Sequence, residues 1–161
     1  MRYAETGFDL EVDLTTGNIE RVPTDPRMTE LHLGGLGTNT RILWDRVPPE
    51  TEPFSPDNLL IFGTGLLVGT PAVGCNRTIV STFSPQTRLM AFSMMGGFWA
   101  PELKYAGYDK VIVRGRSRSL VYLWINNDEV EIRDATHLKG KGSLETAEAI
   151  RRELGELKAQ V

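Results

Sequence analysis

Between Thr64 and Asp109 the chain reads TGLLVGTPAVGCNRTIVSTFSPQTRLMAFSMMGGFWAPELKYAGYD, and this stretch constrains the fold more than any other. Gly65, Gly69, Gly74, Gly96, Gly97 and Gly107 punctuate two strand-like runs, over residues 78–83 and 88–94. Arg77 opens the first run and a double glycine closes the second. Glycine lets a backbone approach a ligand closely or take a positive φ angle. Arginine offers a planar fork of donors matched to phosphates and carboxylates. The combination predicts a wall that receives a flat, anionic ligand, and it competes with plain turn chemistry at hairpin ends.

The flanking sequence supplies the rest of the architecture. Residues 8–14 alternate apolar Phe8, Leu10, Val12 and Leu14 with polar or acidic positions, the period of a half-buried strand. A turn over 15–18 and a return strand over 19–22 complete a hairpin, which Pro23 and Pro26 stop. A short helical segment over 29–33 leads into Gly34-Gly35-Leu36-Gly37. That cluster lacks the lysine of a P-loop and the spacing of a dinucleotide fingerprint, so it reads as a tight connection. A helix over 38–47 ends at Pro48-Pro49, and an ordered surface loop runs to Pro56. The apolar run 59–62 suits a strand buried on both faces.

Beyond the central stretch, 98–105 predicts a short helix stopped by Gly107. Strands follow over 110–114, 120–125 and 129–133, the last two joined by the turn Asn126-Asn127-Asp128. A final helix is expected to be capped by Ser143, with Ala147, Ile150 and Leu154 as its apolar stripe. Residues 158–161 resemble the start of another strand. Few helices among many strands point to an α+β fold with mostly antiparallel pairing.

Composition narrows the function classes. At 161 residues with 40% hydrophobic content the chain can bury one sizeable core. A formal net charge of −3 argues against nucleic acid as a partner. The sequence has no apolar run near the ~20 residues of a membrane helix and no signal-peptide pattern. A single cysteine, Cys75, excludes an internal disulfide framework and fits a reducing cytoplasmic setting. Without partners it makes no metal site, and it reads as a small, partly buried residue. His32 and His137 have no nucleophile or acid at motif spacing and read as solvated or capping residues. Arg114, Arg116 and Arg118 read as a solvated hairpin tip.

Three segments carry a family resemblance: PFSPDNLLIFGTGLLVGTPA (53–72), NRTIVSTFSPQT (76–87) and MMGGFWAPELKYAGYDKVIVRG (94–115). In order and spacing they resemble the amino-terminal domain of the aldehyde:ferredoxin oxidoreductase family of tungsten–pterin enzymes, over nearly the whole chain. The words GCNRTIVSTFSPQT and AFSMMGGFWAPELKYAGYDK are most similar to the catalytic subunits of class II benzoyl-CoA reductases. The resemblance implies that residues 1–161 are an incomplete pterin-cofactor-binding domain, about the first quarter of such an enzyme. It implies a tungsten bis-pterin cofactor, a magnesium ion bridging the pterin phosphates, and a [4Fe-4S] cluster whose ligands lie outside this chain.

By the same resemblance Arg77 matches an arginine beside the pterin, with Asn76, Met94, Met95, Gly96 and Gly97 as further cofactor contacts. The family often has asparagine where this chain has Met94, so that contact must run through the backbone if it is kept. The bland reading of Met94 and Met95 is core gap-filling. The implied partners are the remaining domains or subunits and a ferredoxin or iron–sulfur electron-transfer subunit. The implied reaction is low-potential reduction of an aromatic thioester; the alternatives are ferredoxin-linked aldehyde oxidation and a non-catalytic cofactor-binding or interaction module. No residue of this chain is expected to be catalytic or to ligate metal, and the chain alone is expected to be inactive.

Overall fold

A computed structural model describes residues 4–161. The alternating amino-terminal run forms β1 (Phe8–Asp13) and returns as β2 (Asn18–Pro23). Asp13 builds the turn between them: its carboxylate accepts the Thr15 N–H at 2.9 Å and its carbonyl accepts the Gly17 N–H at 2.8 Å. Helix α1 (Pro26–His32) begins three residues earlier than the sequence reading placed it. The Asp25 carboxylate accepts the Arg27 N–H at 2.9 Å, and Pro26 occupies the first helical turn, where its missing N–H costs nothing. Pro26 therefore starts a helix as well as stopping a strand. Only Leu33, Gly34 and Gly35 separate α1 from α2 (Leu36–Arg46), the tight connection expected of the glycine cluster.

Strands β3 (Leu60–Thr64), β4 (Thr78–Phe83) and β5 (Met90–Met95) follow, with helix α3 (Trp99–Tyr105) and strand β6 (Lys110–Arg114) after them. Arg88 lies outside β5, contrary to the sequence reading. It has φ +54° and its N–H closes a turn onto the Ser84 carbonyl at 2.9 Å. The chain then forms the hairpin β7 (Val121–Asn126) and β8 (Glu129–Asp134), a short 3-10 turn at Thr136–Leu138, and helix α4 (Ser143–Leu154). Gly142, not Ser143, is the cap of α4, and Glu145 folds back so that its carboxylate accepts the Gly142 N–H at 3.3 Å. The expected strand at residues 158–161 does not form. Instead the Arg151 guanidinium donates to the Ala159 carbonyl at 2.9 Å and folds this segment against α4.

Six strands form one sheet in the order β2-β1-β6-β3-β4-β5, and β7-β8 is a separate two-stranded sheet. Every neighbouring pair is antiparallel except β1 and β6, so the fold is α+β and mostly antiparallel. Side chains alternate between the two faces of the sheet. On one face Ile61 and Ile112 pack with Leu43 of α2 and with Leu59. Asn39 of α2 clamps this layer, its amide donating to the Ile79 carbonyl and the Ser81 hydroxyl, each at 3.1 Å. On the other face Leu10, Val12 and Val111 pack with Leu103 and Tyr108, and with Leu123, Ile125, Val130 and Ile132 of the hairpin. Ile150 of α4 meets Ala135 and Leu138, with Ala149 and Leu154 alongside. The apolar run at 59–62 is buried on one face only, at Leu59 and Ile61; on the other, Phe62 is half-buried and Leu60 is 38% exposed, contrary to the expectation of a strand covered on both faces.

Candidate cofactor-binding rim

The sheet brings the glycine-rich segments to one end. Thr64 ends β3 opposite Thr78, the first residue of β4, and Thr78 lies opposite Met95, the last residue of β5. Thr64 and Thr78 are buried, and they form the last ordered row. Past that row the chain leaves the sheet as loop 65–77, which ends in Asn76 and Arg77, and as Gly96-Gly97. Extending the β4–β5 register by one step sets Arg77 opposite Gly96. On the same side Gly35 donates its N–H to the Thr64 carbonyl at 2.9 Å, so the connection between α1 and α2 also borders the rim. Residues separated by some 20 positions along the chain thus meet because β4 and β5 are antiparallel neighbours.

The side chains at this rim are open. Asn76 and Arg77 are exposed, and among the described residues neither side chain holds a hydrogen bond or ion pair. Gly97 has φ +109°, a backbone that side chains rarely tolerate, and a Cβ placed on Gly96 or Gly97 would meet nothing within 4 Å. The predicted residues therefore converge, with the glycines facing free space. Met94 is 50% exposed and Met95 38%, so neither fills a core gap. Arg77 has the chemistry of an uncompensated cation beside accessible main chain. That donor set suits an anion.

Beneath the rim lies a buried ionic layer that the sequence reading missed. The Lys110 ammonium donates to both oxygens of Asp9, at 3.0 and 3.1 Å, and the Thr24 hydroxyl donates to Asp9 at 3.1 Å. The Lys104 ammonium donates to Asp109 at 2.6 Å and to the Ala4 carbonyl at 2.8 Å. The Asp109 carboxylate also accepts the Thr6 and Gly7 N–H groups at 3.0 Å. Burial pushes the Asp9 carboxyl above its ordinary pKa, even against the pull of Lys110. Burial alone would raise Asp109 too; the Lys104 hydrogen bond, the Thr6 N–H, the Lys104 charge and the Gly7 N–H outweigh it and hold it below the ordinary value. The readable signal was complementary charge at the heads of two strands, Asp9 in FDLEVD and Lys110 in KVIVR.

The remaining singled-out residues lie elsewhere. Cys75 is half-buried in the loop before Arg77, its thiol 3.7 Å from the Val73 carbonyl. Among the described residues no group of three His, Cys, Asp or Glu side chains could hold a metal ion. His137 is not solitary: it stands 3.1 Å from Glu153, whose carboxylate also accepts the Tyr122 hydroxyl at 2.8 Å, and it joins α4 to the hairpin. Arg114 pairs with Asp13 at 3.0 Å at the opposite end of the sheet, while Arg116 and Arg118 stand exposed there. No helix among the described residues is long and apolar enough to cross a membrane.

Comparison with known proteins agrees with this layout. The family described as "Aldehyde ferredoxin oxidoreductase, N-terminal domain" matches residues 9–161. The tungsten-containing aldehyde ferredoxin oxidoreductase of Pyrococcus furiosus is 37% identical over 99% of this chain and 26% of its own length. That of Pyrococcus abyssi is 40% identical over 96% of this chain and 26% of its own length. A solved structure of the BamBC active-site complex of benzoyl coenzyme A reductase with 1,5-dienoyl-CoA contains a chain that is 79% identical. It superposes with a TM-score of 0.96, covering 98% of this chain and 24% of that one. The chain spans about a quarter of the length of the relatives it matches. By family match, identity and fold together, the chain belongs to the aldehyde ferredoxin oxidoreductase family and corresponds to its N-terminal domain.

Proposed function

We propose that residues 1–161 form the pterin-facing N-terminal part of the catalytic subunit of an anaerobic, cytoplasmic tungsten oxidoreductase that reduces benzoyl-CoA-type aromatic thioesters. The observation that carries this reading is the gap in identity: 79% to a chain of the benzoyl-CoA reductase complex against 37% and 40% to the aldehyde enzymes. The rim fits the implied group, since Arg77 is a cation without a partner among the described residues and Gly96 and Gly97 leave open space before them. When bound, a tungsten bis-pterin supplies a two-electron redox centre.

The chain's own residues hold that group and keep it in place. Arg77 and Asn76 would donate to the anionic dithiolene and phosphate groups, where a charge-assisted donor binds most strongly. Met94 and Met95 would offer backbone carbonyl oxygens, hard ligands of the kind a magnesium ion prefers. This replaces the side-chain amide that the family often has at Met94. Gly96 and Gly97 would present main-chain N–H groups to phosphate oxygens. The iron–sulfur cluster takes its ligands from the rest of the subunit, because one cysteine does not make such a site. Two electrons from a ferredoxin or iron–sulfur subunit, with two protons, convert the aromatic ring to a cyclic diene.

A second reading, ferredoxin-linked oxidation of aldehydes, is supported by the curated relatives. The deciding experiment is anaerobic purification of the holoenzyme from its native source, followed by metal analysis and assay with 1,5-dienoyl-CoA and with aldehydes. The expected result is tungsten in the complex and interconversion of dienoyl-CoA and benzoyl-CoA. Aldehyde turnover without thioester turnover establishes the second reading, and a tungsten-free complex overturns both.

A further inference from the structure

Lys104 touches the rim from two directions. Its stem lies against loop 65–77, with Lys104 Cβ 3.1 Å from the position a Cβ would take on Gly69. Its ammonium, 5% exposed, is held by Asp109 and by the Ala4 carbonyl. Asp109 then passes this anchorage into the sheet. Its main-chain carbonyl accepts both donors of Thr64, the N–H at 3.0 Å and the hydroxyl at 2.8 Å. The Thr64 carbonyl in turn accepts the Gly35 N–H, while Thr64 lies opposite Thr78 and Thr78 opposite Met95. The row that ends in this way continues directly into Arg77 and Gly96.

A buried ammonium needs its full set of acceptors, and a buried carboxylate needs its donors, so neither side chain can shift without leaving charge unpaired. Asp109 cannot move without moving the Thr64 end of the row. We propose that Lys104, acting through Asp109, is a positioning residue for the cofactor rim and sets where Arg77 and Gly96-Gly97 stand. The proposal rests on the cofactor reading given above, which its test keeps separate.

The test is amide hydrogen exchange on the holoenzyme and its Lys104→Met, Lys104→Arg and Lys104→Met/Asp109→Asn variants, followed by mass spectrometry. Lys104→Met is expected to speed exchange about tenfold or more at residues 63–66, 76–79 and 95–98. The β7-β8 hairpin and the turn at residues 13–17 stay at the wild-type rate, and Lys104→Arg restores most of the protection. Acceleration spread evenly over the chain, or none at the rim, overturns the proposal. If Lys104→Met does not fold, the charge-free double variant gives the reading; if both fail to fold, the pair serves global stability and the proposal falls. Tungsten content of the holoenzyme carrying Lys104→Met or Arg77→Ala is the second readout. Rim exchange that rises with tungsten retained in both variants leaves the positioning role and rejects the cofactor reading. Tungsten lost only in Arg77→Ala, with rim exchange unmoved by Lys104→Met, does the reverse.

Discussion

Asp9 and Asp13 project from the same face of β1, and each is paired in register with a basic residue of β6, Lys110 and Arg114. The two ion pairs have the same 3.0 Å separation and acids covered to a similar degree, but they differ in the exposure of the base. Lys110 is 4% exposed, whereas Arg114 is 57% exposed at the far end of the sheet. Burial pushes the Asp9 carboxyl up, while the Asp13 carboxyl is held down by the Thr15 N–H first and by Thr16 and Arg114 after it. One strand pair therefore carries an internal brace at the end that presents the candidate site and a solvated pair at the end that does not. Gly115 contrasts with the paired glycines of the rim. At the far end a Cβ on Gly115 would stand 2.6 Å from the Thr15 hydroxyl and 2.7 Å from the Asp13 carboxylate, whereas Gly96 and Gly97 face empty space.

The largest effect expected from this contrast comes from breaking one pair at a time. Lys110→Met leaves Asp9 buried without its cation, held only by the Thr24 hydroxyl, and costs about 3–5 kcal/mol. Arg114→Met costs at most about 1 kcal/mol, since its pair is open to water. Urea denaturation of the two variants measures the difference, and equal costs would erase the distinction between the ends. Next come the glycines. Gly115→Ala meets both a positive φ and crowded oxygens, for about 2–4 kcal/mol. Gly97→Ala meets only the backbone term, on the order of 1–2 kcal/mol, so the two melting curves should separate.

The carboxylates give a pH test whose sign depends on burial. Asp109 has a lowered folded pKa, so its contribution is present above the ordinary carboxylate value of ~3.9 and is lost as pH falls through the folded value. Asp9 has a raised folded pKa, so the native state binds that proton more tightly and acid relieves part of its burial cost. Below about pH 4, Asp109→Asn should flatten the loss of stability; in the window just above pH ~4, up to the raised folded value, Asp9→Asn should remove the stability that acid otherwise restores, as read by denaturation at a series of pH values. Slopes changed in the same direction by both variants would refute the assignment. The smallest effect belongs to Arg77→Ala. With no partner among the described residues its loss should change stability by no more than about 0.5 kcal/mol, while the holoenzyme loses tungsten. A large drop in stability would make Arg77 structural.

Much of this was visible in the chain itself. Alternation in FDLEVDL gave β1, and the residues between 76 and 97 were legible as a candidate site because arginine and paired glycine are conspicuous beside strand-like runs. The misreadings came where a residue has two uses. Pro26 stops a strand and, with Asp25 before it, also starts a helix, and Arg88 stands in a strand-like run yet turns the chain. Acidic residues in β1 read as one solvated face, yet Asp9 is 9% exposed and Asp13 lies at the turn.

By itself the sequence determined the local order of strands and helices and the family to which they belong, because periodicity, caps and motif words act over short distances. Tertiary structure decided the parallel pairing of β1 with β6, which joins residues some 100 positions apart and cannot be read from local pattern. That pairing sets Asp9 against Lys110, and the return of β6 beside β3 sets Asp109 against Thr64. Whether a charged side chain meets water or another charge is settled only when such distant strands close on each other. The residues of the rim were therefore readable in advance, and the ionic layer beneath them was not.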